Sequence, residues 1–290
     1  MTALLHSLQF VRTARDMREV SQEIRRSGRR LGFVPTMGAL HEGHLALVAQ
    51  ARADCDAVVA SVYVNPLQFG PREDFGAYPR DLERDARLLS GAGTAILFAP
   101  EEGEIHVAGH RTAIEVTGMQ DVLCGRSRPG HFRGVCTVVA KLFQIVAPHA
   151  AYFGEKDAQQ LRIIRRMNRD LHFDVTIVGC PTVRAEDGLA LSSRNAYLTP
   201  DERRAAPVIF RALEAAAKRA RAGERSVALL VEGVRAAIAL EPLARIDYIE
   251  AVDDETLGAV EVLDRPVLLA AAVYFGRARL IDNIVIRNPR

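Results

Sequence analysis

The sequence has no tryptophan, few aromatic residues and almost no excess of charge. Aromatic residues make up 6% of the 290 residues, and 38 lysines and arginines nearly balance 36 acidic residues, for a formal net charge of +2. Proteins that bind RNA or DNA usually carry a basic surface, which in many RNA-binding modules also presents aromatic side chains. We therefore expect no nucleic-acid partner.

Cysteines are also few, and long apolar runs are absent. The four cysteines have no CxxC spacing and no histidines at the intervals of zinc ligands; they are Cys55, Cys124, Cys136 and Cys180. A disulfide framework or structural metal is therefore not expected, and a reducing cytoplasm suits such a chain. No apolar run approaches the ~20 residues that cross a membrane. The stretch MTALLHSLQFVRTARDMREV acquires charge too early for a signal peptide. These features predict a cytoplasmic protein that does not associate with membranes.

The first two-thirds of the chain alternates strand-like runs with segments of helical periodicity. LGFVPT, AVVASVYV and TAILFAP resemble strands, and the second is apolar throughout, as strands buried on both faces are. HLALVAQARADC, RDLERDARLLSGAG and FRGVCTVVAKLFQIVAP have apolar residues at helical spacing. AAYFG, DAQQLRIIRRMNRDL and DVTIVGCPTV then indicate a strand, a helix and a strand. This alternation predicts an α/β fold with a doubly wound parallel sheet, whose ligands bind beyond the carboxyl ends of the strands.

The character of the sequence changes after about residue 182. An Ala/Arg-rich helical stretch begins at Thr199-Pro200, where a proline in the first turn and two acidic residues mark a helix start. Three strand-like runs follow, RIDYIEAVD, PVLLAAAVYFG and ARLIDNIVI. We predict a larger domain over residues 1–182 and a smaller α+β domain over residues 183–290.

Two histidines stand where the strand LGFVPT gives way to a helix. In VPTMGALHEGHLALV, His41 and His44 are three residues apart and share one helix face. The first turn of a helix exposes unpaired N–H groups at the positive end of its dipole, and Gly38 and Gly43 leave room for a ligand. Such a helix start can bind the phosphates of a nucleoside triphosphate. The HxxH pattern alone is more typical of two histidines that only cap the helix.

Four further polar stretches follow predicted strands or begin predicted helices. These stretches are VNPLQFGPREDFGAYPRD, SRPGHFRGVCTVV, FGEKDAQQL and LSSRNAYL. Their polar side chains include Asn65, Gln68, Arg128, His131, Lys156, Asp157, Gln160, Ser192, Ser193 and Arg194. A guanidinium fork suits phosphate oxygens. Their recurrence at strand ends indicates a single ligand site.

With PTMGALHEGH, VNPLQFG, RPGHFRGV, FGEKDAQQ and LSSRN in this order, the chain resembles the pantoate–β-alanine ligases over essentially its full length. That family belongs to the HxGH adenylate-forming nucleotidyltransferases, which are related to class I aminoacyl-tRNA synthetases. The resemblance implies a Rossmann-like N-terminal domain, a smaller C-terminal lid and a homodimer. It also implies an ATP-dependent condensation of pantoate with β-alanine through a pantoyl adenylate. Two departures are Leu191, where the family commonly has Met, and Ile105-His106, where it has Tyr-Pro.

The resemblance further implies a role for each matching residue. The implied catalytic residues are His44, His41, Lys156 and Arg194, with His44 donating a proton or stabilising phosphate charge. The implied ATP contacts are Met37, Gly38, Ala39, Leu40, His41, Glu42, Gly43, His44, Gly154, Glu155, Lys156, Asp157, Val183, Leu191, Ser192, Ser193 and Arg194. The implied substrate contacts are Gln68, Gln160, Asn65, Arg128 and His131. Mg²⁺ would bridge the ATP phosphates, and Asp157 either caps a helix or orients a magnesium-bound water.

Other interpretations remain open at this point. Another HxGH nucleotidyltransferase would transfer AMP to a phosphorylated acceptor, and would need additional Arg or Lys where this chain has Asn65 and Gln68. A non-catalytic nucleotide-binding protein would bind ATP without releasing pyrophosphate. Lys156 could be an ion-pair partner of a neighbouring carboxylate, Gln160 a surface amide and His131 a helix cap. The histidines without a surrounding motif are predicted to be structural; they are His6, His106, His110, His149 and His172.

Overall fold

The computed structural model describes residues 8–71, 73 and 75–287, and the chain divides into two compact units. The first unit comprises Met1–Val116, Arg128–Glu155 and Ile163–Pro181. The second comprises Thr117–Ser127, Lys156–Arg162 and Thr182–Arg290. The second unit thus includes two short segments that the predicted division at residue 182 assigned to the larger domain. That division, as one between a catalytic and a lid domain, stays a prediction.

The first unit is built on a six-stranded sheet in which every strand pair is parallel. Its strands are β1 (Gln9–Val11), β2 (Leu31–Thr36), β3 (Ala57–Val62), β4 (Ile96–Phe98), β5 (Ala150–Gly154) and β6 (Thr176–Cys180). All residues of β3 but the last are buried, as its apolar sequence predicts. The predicted Rossmann-like α/β fold is confirmed.

Among the described residues, seven α-helices precede β6. They are α1 (Ala14–Arg26), α2 (Glu42–Asp54), α3 (Leu82–Gly91), α4 (Glu102–Ile105), α5 (Cys124–Ser127), α6 (His131–Val146) and α7 (Ala158–Asp170). The helices predicted from HLALVAQARADC, RDLERDARLLSGAG and FRGVCTVVAKLFQIVAP are present as α2, α3 and α6. The sequence patterns did not predict β1, α1, α4 or α5. No helix among the described residues is long and apolar enough to cross a membrane.

The second unit contains the helices and strands predicted for the C-terminal part. These are α8 (Pro200–Ala205), α9 (Val208–Arg221), α10 (Val227–Ala239), β7 (Ala244–Asp253), β8 (Val267–Phe275) and β9 (Ala278–Ile286). The three strands form an antiparallel sheet in the order β7-β8-β9. Thr199 and Glu202 form a reciprocal capping box at the predicted helix start. Apolar faces of α9 and the sheet form the core of this unit.

The order of strands in the large sheet is β1-β4-β3-β2-β5-β6, so the winding direction reverses between β2 and β5. Ligands of open α/β sheets bind beyond the strand ends at such a reversal. β2 pairs with β3 along all six residues, but with β5 only at Gly32–Ala150 and Phe33–Ala151. The carboxyl ends of β2 and β5 are therefore not paired with each other. The loop of the HxGH motif follows Thr36 at this opening.

Candidate active site

A buried carboxylate shapes the loop between β2 and α2. Asp85 on α3 is 1% exposed and accepts the backbone N–H groups of Ala39 and Leu40, both at 2.9 Å. Gly38 and Ala39 have φ angles of 81° and 51°, a region that favours glycine. A side chain at residue 38 would also lie 2.8 Å from Asp85 Oδ2. Asp85 therefore holds the loop in the shape that leads to His41.

His41 and His44 cap helix α2 reciprocally. Nδ1 of His41 accepts the N–H of Gly43 at 3.1 Å, and Nδ1 of His44 accepts the N–H of His41 at 3.3 Å. The two ring centroids are 4.1 Å apart. A Cβ on residue 43 would lie 2.8 Å from Cε1 of His41, so glycine there makes room for the ring. The two histidines therefore do cap the helix, as the HxxH pattern allowed.

The same hydrogen bonds determine the tautomer of both rings. A ring nitrogen that accepts a hydrogen bond carries no proton, so each neutral imidazole holds its proton on Nε2. An N–H at the first turn of a helix, where the dipole is positive, is well suited to an anion. Capping and phosphate binding are therefore compatible roles, because they use different nitrogens.

The segment after β3 carries the predicted substrate amides. Pro66–Gln68 forms one 3₁₀ turn, and Asn65 before it is 1% exposed. The Asn65 side-chain amide donates to Gln68 Oε1 and to the carbonyl of Gly134 on α6, both at 3.1 Å. Nε2 of Gln68 lies 2.8 Å from Sδ of Met37. The structure thus brings Asn65 and Gln68 together with a residue of the HxGH loop.

Arg128 and His131 contact the backbone of the same segment. Nη2 of Arg128 and Nδ1 of His131 donate to the carbonyl of Gln68 at 3.3 Å and 2.8 Å. Nε and Nη2 of Arg128 also donate to the two carboxylate oxygens of Glu73, at 2.7 Å and 2.5 Å. Burial by itself would raise the pKa of Glu73, but the hydrogen bonds and charge of Arg128 outweigh it and hold the pKa below its usual value. No spacing in the sequence indicates Glu73 as the partner of this guanidinium.

In the second unit, Lys156 and Ser192 line the same small cavity. Nζ of Lys156 lies 3.3 Å from Oδ2 of Asp157, so the ion pair that the sequence left open is present. The backbone carbonyl of Lys156 accepts a hydrogen bond from Nδ2 of Asn283 at 3.0 Å. This hydrogen bond holds the backbone of Lys156 in place.

The stretch from Val183 to Arg194 folds back on itself. The N–H of Leu191 donates to the carbonyl of Val183 at 2.9 Å, which brings two predicted ATP contacts together. Oγ of Ser192 accepts the N–H of Arg194 at 3.3 Å and caps the 3₁₀ helix Ser193–Tyr197. These hydrogen bonds therefore hold the backbone from which the side chains of Ser192 and Arg194 extend.

The two adjacent glutamines at the start of α7 have different environments. Gln159 is 6% exposed, and its amide donates to the carbonyls of Met119 and Val122 and accepts the N–H of Cys124. Gln160 is only partly buried. Because Gln159 is fully engaged by backbone groups, Gln160 is the glutamine of this pair that can meet a ligand.

Comparison with known proteins gives consistent results. A family model described as pantoate-beta-alanine ligase matches residues 9–285. The pantothenate synthetase of Heliobacterium modesticaldum is 54% identical over 279 residues, which cover 96% of this chain and 99% of the relative. A crystal structure of pantothenate synthetase from Thermus thermophilus superposes with a TM-score of 0.91 at 49% identity, covering 97% of this chain and 100% of that one. A pantoate-beta-alanine ligase from Francisella tularensis, complexed with beta-gamma ATP and beta-alanine, has a TM-score of 0.78 at 33% identity, covering 96% and 98%.

Proposed function

The chain belongs to the pantoate–β-alanine ligase family, and we propose that the start of α2 and the segment around Gln68 carry out its reaction. That reaction is the ATP-dependent condensation of pantoate with β-alanine to pantothenate, AMP and pyrophosphate. The observation that supports this placement is the 2.8 Å contact between Gln68 Nε2 and Met37 Sδ. It joins a helix start suited to phosphates with an amide suited to a hydroxy acid.

In the first step, a carboxylate oxygen of pantoate attacks the α-phosphorus of ATP. The bond from that phosphorus to the bridging oxygen breaks, and pyrophosphate leaves with the electron pair, so negative charge grows on the phosphate oxygens. Nε2–H of His44 and of His41, at the positive end of α2, would stabilise this charge. Lys156 and Arg194 are proposed to contact the phosphates as cations.

In the second step, the amine of β-alanine attacks the carbonyl carbon of pantoyl adenylate. The carbon–oxygen bond to the phosphate breaks, AMP leaves, and the new amide nitrogen loses its extra proton to water. No side-chain nucleophile is required, because the mixed anhydride is already activated. Gln68 and Gln160 therefore act by holding pantoate, and the site must keep water from the adenylate. Asn65, predicted as a substrate contact, is buried with its amide bonded to protein groups, so it acts by holding Gln68 instead.

Mg²⁺ would enter with ATP as part of the substrate. Among the described residues, no group of three or more His, Cys, Asp or Glu side chains is placed to hold a metal ion by itself. Mg²⁺ commonly binds through substrate phosphates and one or two carboxylates. Asp157, whose carboxylate pairs with Lys156, stays the proposed carboxylate for a magnesium-bound water. A homodimer is part of the same proposal and is supported by the family resemblance alone. A cytoplasmic location is also proposed, and the cysteine pattern supports it.

The function is tested by supplying ATP, pantoate and β-alanine and identifying the products by mass spectrometry. We expect pantothenate, AMP and pyrophosphate in equal amounts, and no pantothenate when either acid or ATP is omitted. Release of pyrophosphate only with a phosphorylated acceptor would indicate a different nucleotidyltransferase. ATP binding without turnover would indicate a non-catalytic nucleotide-binding protein.

A further inference from the structure

Four polar side chains form a continuous row within the first unit, from α6 to the segment after β3. We call Lys141, His106, Asn65 and Gln68 the polar row. Nζ of Lys141 lies 3.0 Å from Nδ1 of His106, and Nε2 of His106 lies 3.0 Å from Oδ1 of Asn65. Nδ2 of Asn65 lies 3.1 Å from Oε1 of Gln68. Asn65 and His106 are 1% and 7% exposed, so water does not compete freely for these bonds.

The hydrogen bonds of the polar row run in one direction only. A lysine ammonium can donate but not accept, so Nδ1 of His106 must be the acceptor. The neutral ring then holds its proton on Nε2 and donates it to Oδ1 of Asn65. With Oδ1 accepting, the NH₂ group of Asn65 faces Gln68 and donates to Oε1. The NH₂ group of Gln68 is consequently turned away, toward Met37.

Further contacts fix the row at Lys141 and at Asn65. Lys141 also donates to the carbonyl of Ile105 at 2.9 Å, and Asn65 to the carbonyl of Gly134 at 3.1 Å. Burial, followed by the charges of Lys141 and His110, lowers the pKa of His106 to about 4, so its ring is neutral near pH 7. A neutral ring can accept from one neighbour and donate to the next, whereas an imidazolium could only donate.

We propose that Lys141 and His106 are positioning residues that set the amide orientation of Gln68, so that its NH₂ group donates to an oxygen of pantoate. Neither residue needs to touch a substrate. The inference rests on the proposed function, because pantoate is the ligand assigned to Gln68. If the row were broken, Gln68 could turn and present a carbonyl to a carboxylate. Such a change weakens pantoate binding without altering the phosphate contacts of the HxGH loop.

The tautomer of His106 tests the row independently of any activity. Long-range ¹H–¹⁵N spectra of the full-length protein near pH 7 should show His106 as the neutral Nε2–H tautomer. Its signals are assigned by their loss in His106→Phe. An Nδ1–H tautomer, or an imidazolium, would overturn the proposed direction of the row, whether or not the protein makes pantothenate.

The consequence for the substrate is tested by steady-state kinetics. His106→Phe should raise the KM for pantoate about tenfold, as expected for one lost or inverted hydrogen bond, and leave the KM for ATP unchanged within about twofold. His106→Gln, which keeps an acceptor and a donor, should restore most of the pantoate affinity. His110→Phe is the matched control, since that ring stacks on His106 at 4.9 Å outside the row, and it should leave both constants unchanged.

Equal changes in the two KM values, or an unchanged KM for pantoate, would overturn the positioning role. If His106→Phe does not fold, Lys141→Met removes the donor at the far end of the row and should raise the same KM. A wild-type protein that makes no pantothenate would overturn the proposed function instead, and the tautomer of His106 would still decide the direction of the row.

Discussion

The imidazole of His44 has two nitrogens with different tasks, and one substitution can separate them. Asparagine places an acceptor near the position of Nδ1, which receives the N–H of His41 at 3.3 Å, but it has no equivalent of Nε2–H. We expect His44→Asn to melt close to wild type and to form adenylate about 10²-fold more slowly, the range for losing one preorganised donor. Differential scanning calorimetry and single-turnover formation of pantoyl adenylate measure the two effects.

His44→Ala serves as the comparison because it removes both nitrogens. It should show the same loss of rate and also lose about 1 kcal/mol of stability with the cap. Supplying either variant with pre-formed pantoyl adenylate and β-alanine should restore much of the product, because the second step depends less on the phosphate contact. Wild-type turnover by His44→Asn would mean that the histidine is only a cap.

Gln160 and Gln159 allow a paired test of ligand contact against structure. Gln160→Ala should weaken pantoate binding about tenfold or more and ATP binding much less, because a buried substrate oxygen would lose its partner at ~1–3 kcal/mol. Isothermal titration with each ligand measures this difference. Gln159→Ala removes an amide that bonds three backbone groups, so it should lower the melting temperature instead. If Gln160→Ala lost affinity for pantoate and for ATP equally, Gln160 would have a structural role or would contact the nucleotide.

The residues that the sequence could predict are those that lie in recognisable local patterns. His41 and His44 were identified because strand, glycine and helix signals surround them. Asp85 and Glu73 were not, because their partners lie on other parts of the chain and no local spacing indicates them. Lys141 offered one local signal, a lone cation within the apolar helix VVAKLFQIV. His106 was predicted to be merely structural, and its contacts with Lys141 and Asn65 could not be inferred from spacing.

Helices and strands were predictable where periodicity was long and unambiguous. The bounds of β2 coincide with LGFVPT, and β9 coincides with ARLIDNIVI. Strand β1 has three residues and only one of them is buried, so it carries too little pattern to detect. The Ala/Arg-rich stretch contains three helices, and Pro207 at the start of α9 interrupts it. Capping residues and prolines therefore predicted where helices start better than they predicted how many helices the stretch contains.

The backbone of helix α6 approaches the Gln68 segment closely at Gly134, which makes that contact testable. A Cβ on Gly134 would overlap the carbonyl of Leu67 and the backbone nitrogen of Gln68. Gly134→Ala should therefore displace the 3₁₀ turn, lower stability by about 1–3 kcal/mol and raise the KM for pantoate. Chemical denaturation and initial rates give both quantities.

Gly91→Ala is the control for this substitution, because a Cβ there would meet no atom within 4 Å. It replaces glycine by a better helix former in α3, so stability should stay constant or rise by up to ~1 kcal/mol. Pantoate kinetics should not change. If Gly134→Ala behaved like Gly91→Ala, the close approach of α6 to the Gln68 segment would not matter for the site.

Over the whole molecule, the position of the site follows from topology more than from any single residue. The reversal between β2 and β5 could not be derived from the alternation of helices and strands, which is compatible with several strand orders. Once the order is known, the HxGH loop must lie at the opening, because it follows Thr36. The assignment of a lid to residues 183–290 stays a prediction, since it concerns motion during the reaction.

The order of the two chemical steps can be tested on the intact enzyme without any substitution. Because β-alanine attacks only the finished adenylate, the first step should run and reverse in its absence. We therefore expect pantoate-dependent exchange of labelled pyrophosphate into ATP with no β-alanine present, and none without pantoate. Adding β-alanine should suppress the exchange, since it draws the adenylate into pantothenate. Exchange that requires β-alanine would mean that all three substrates react in one complex without a free-standing adenylate, and the roles proposed for His41 and His44 would then belong to a concerted step.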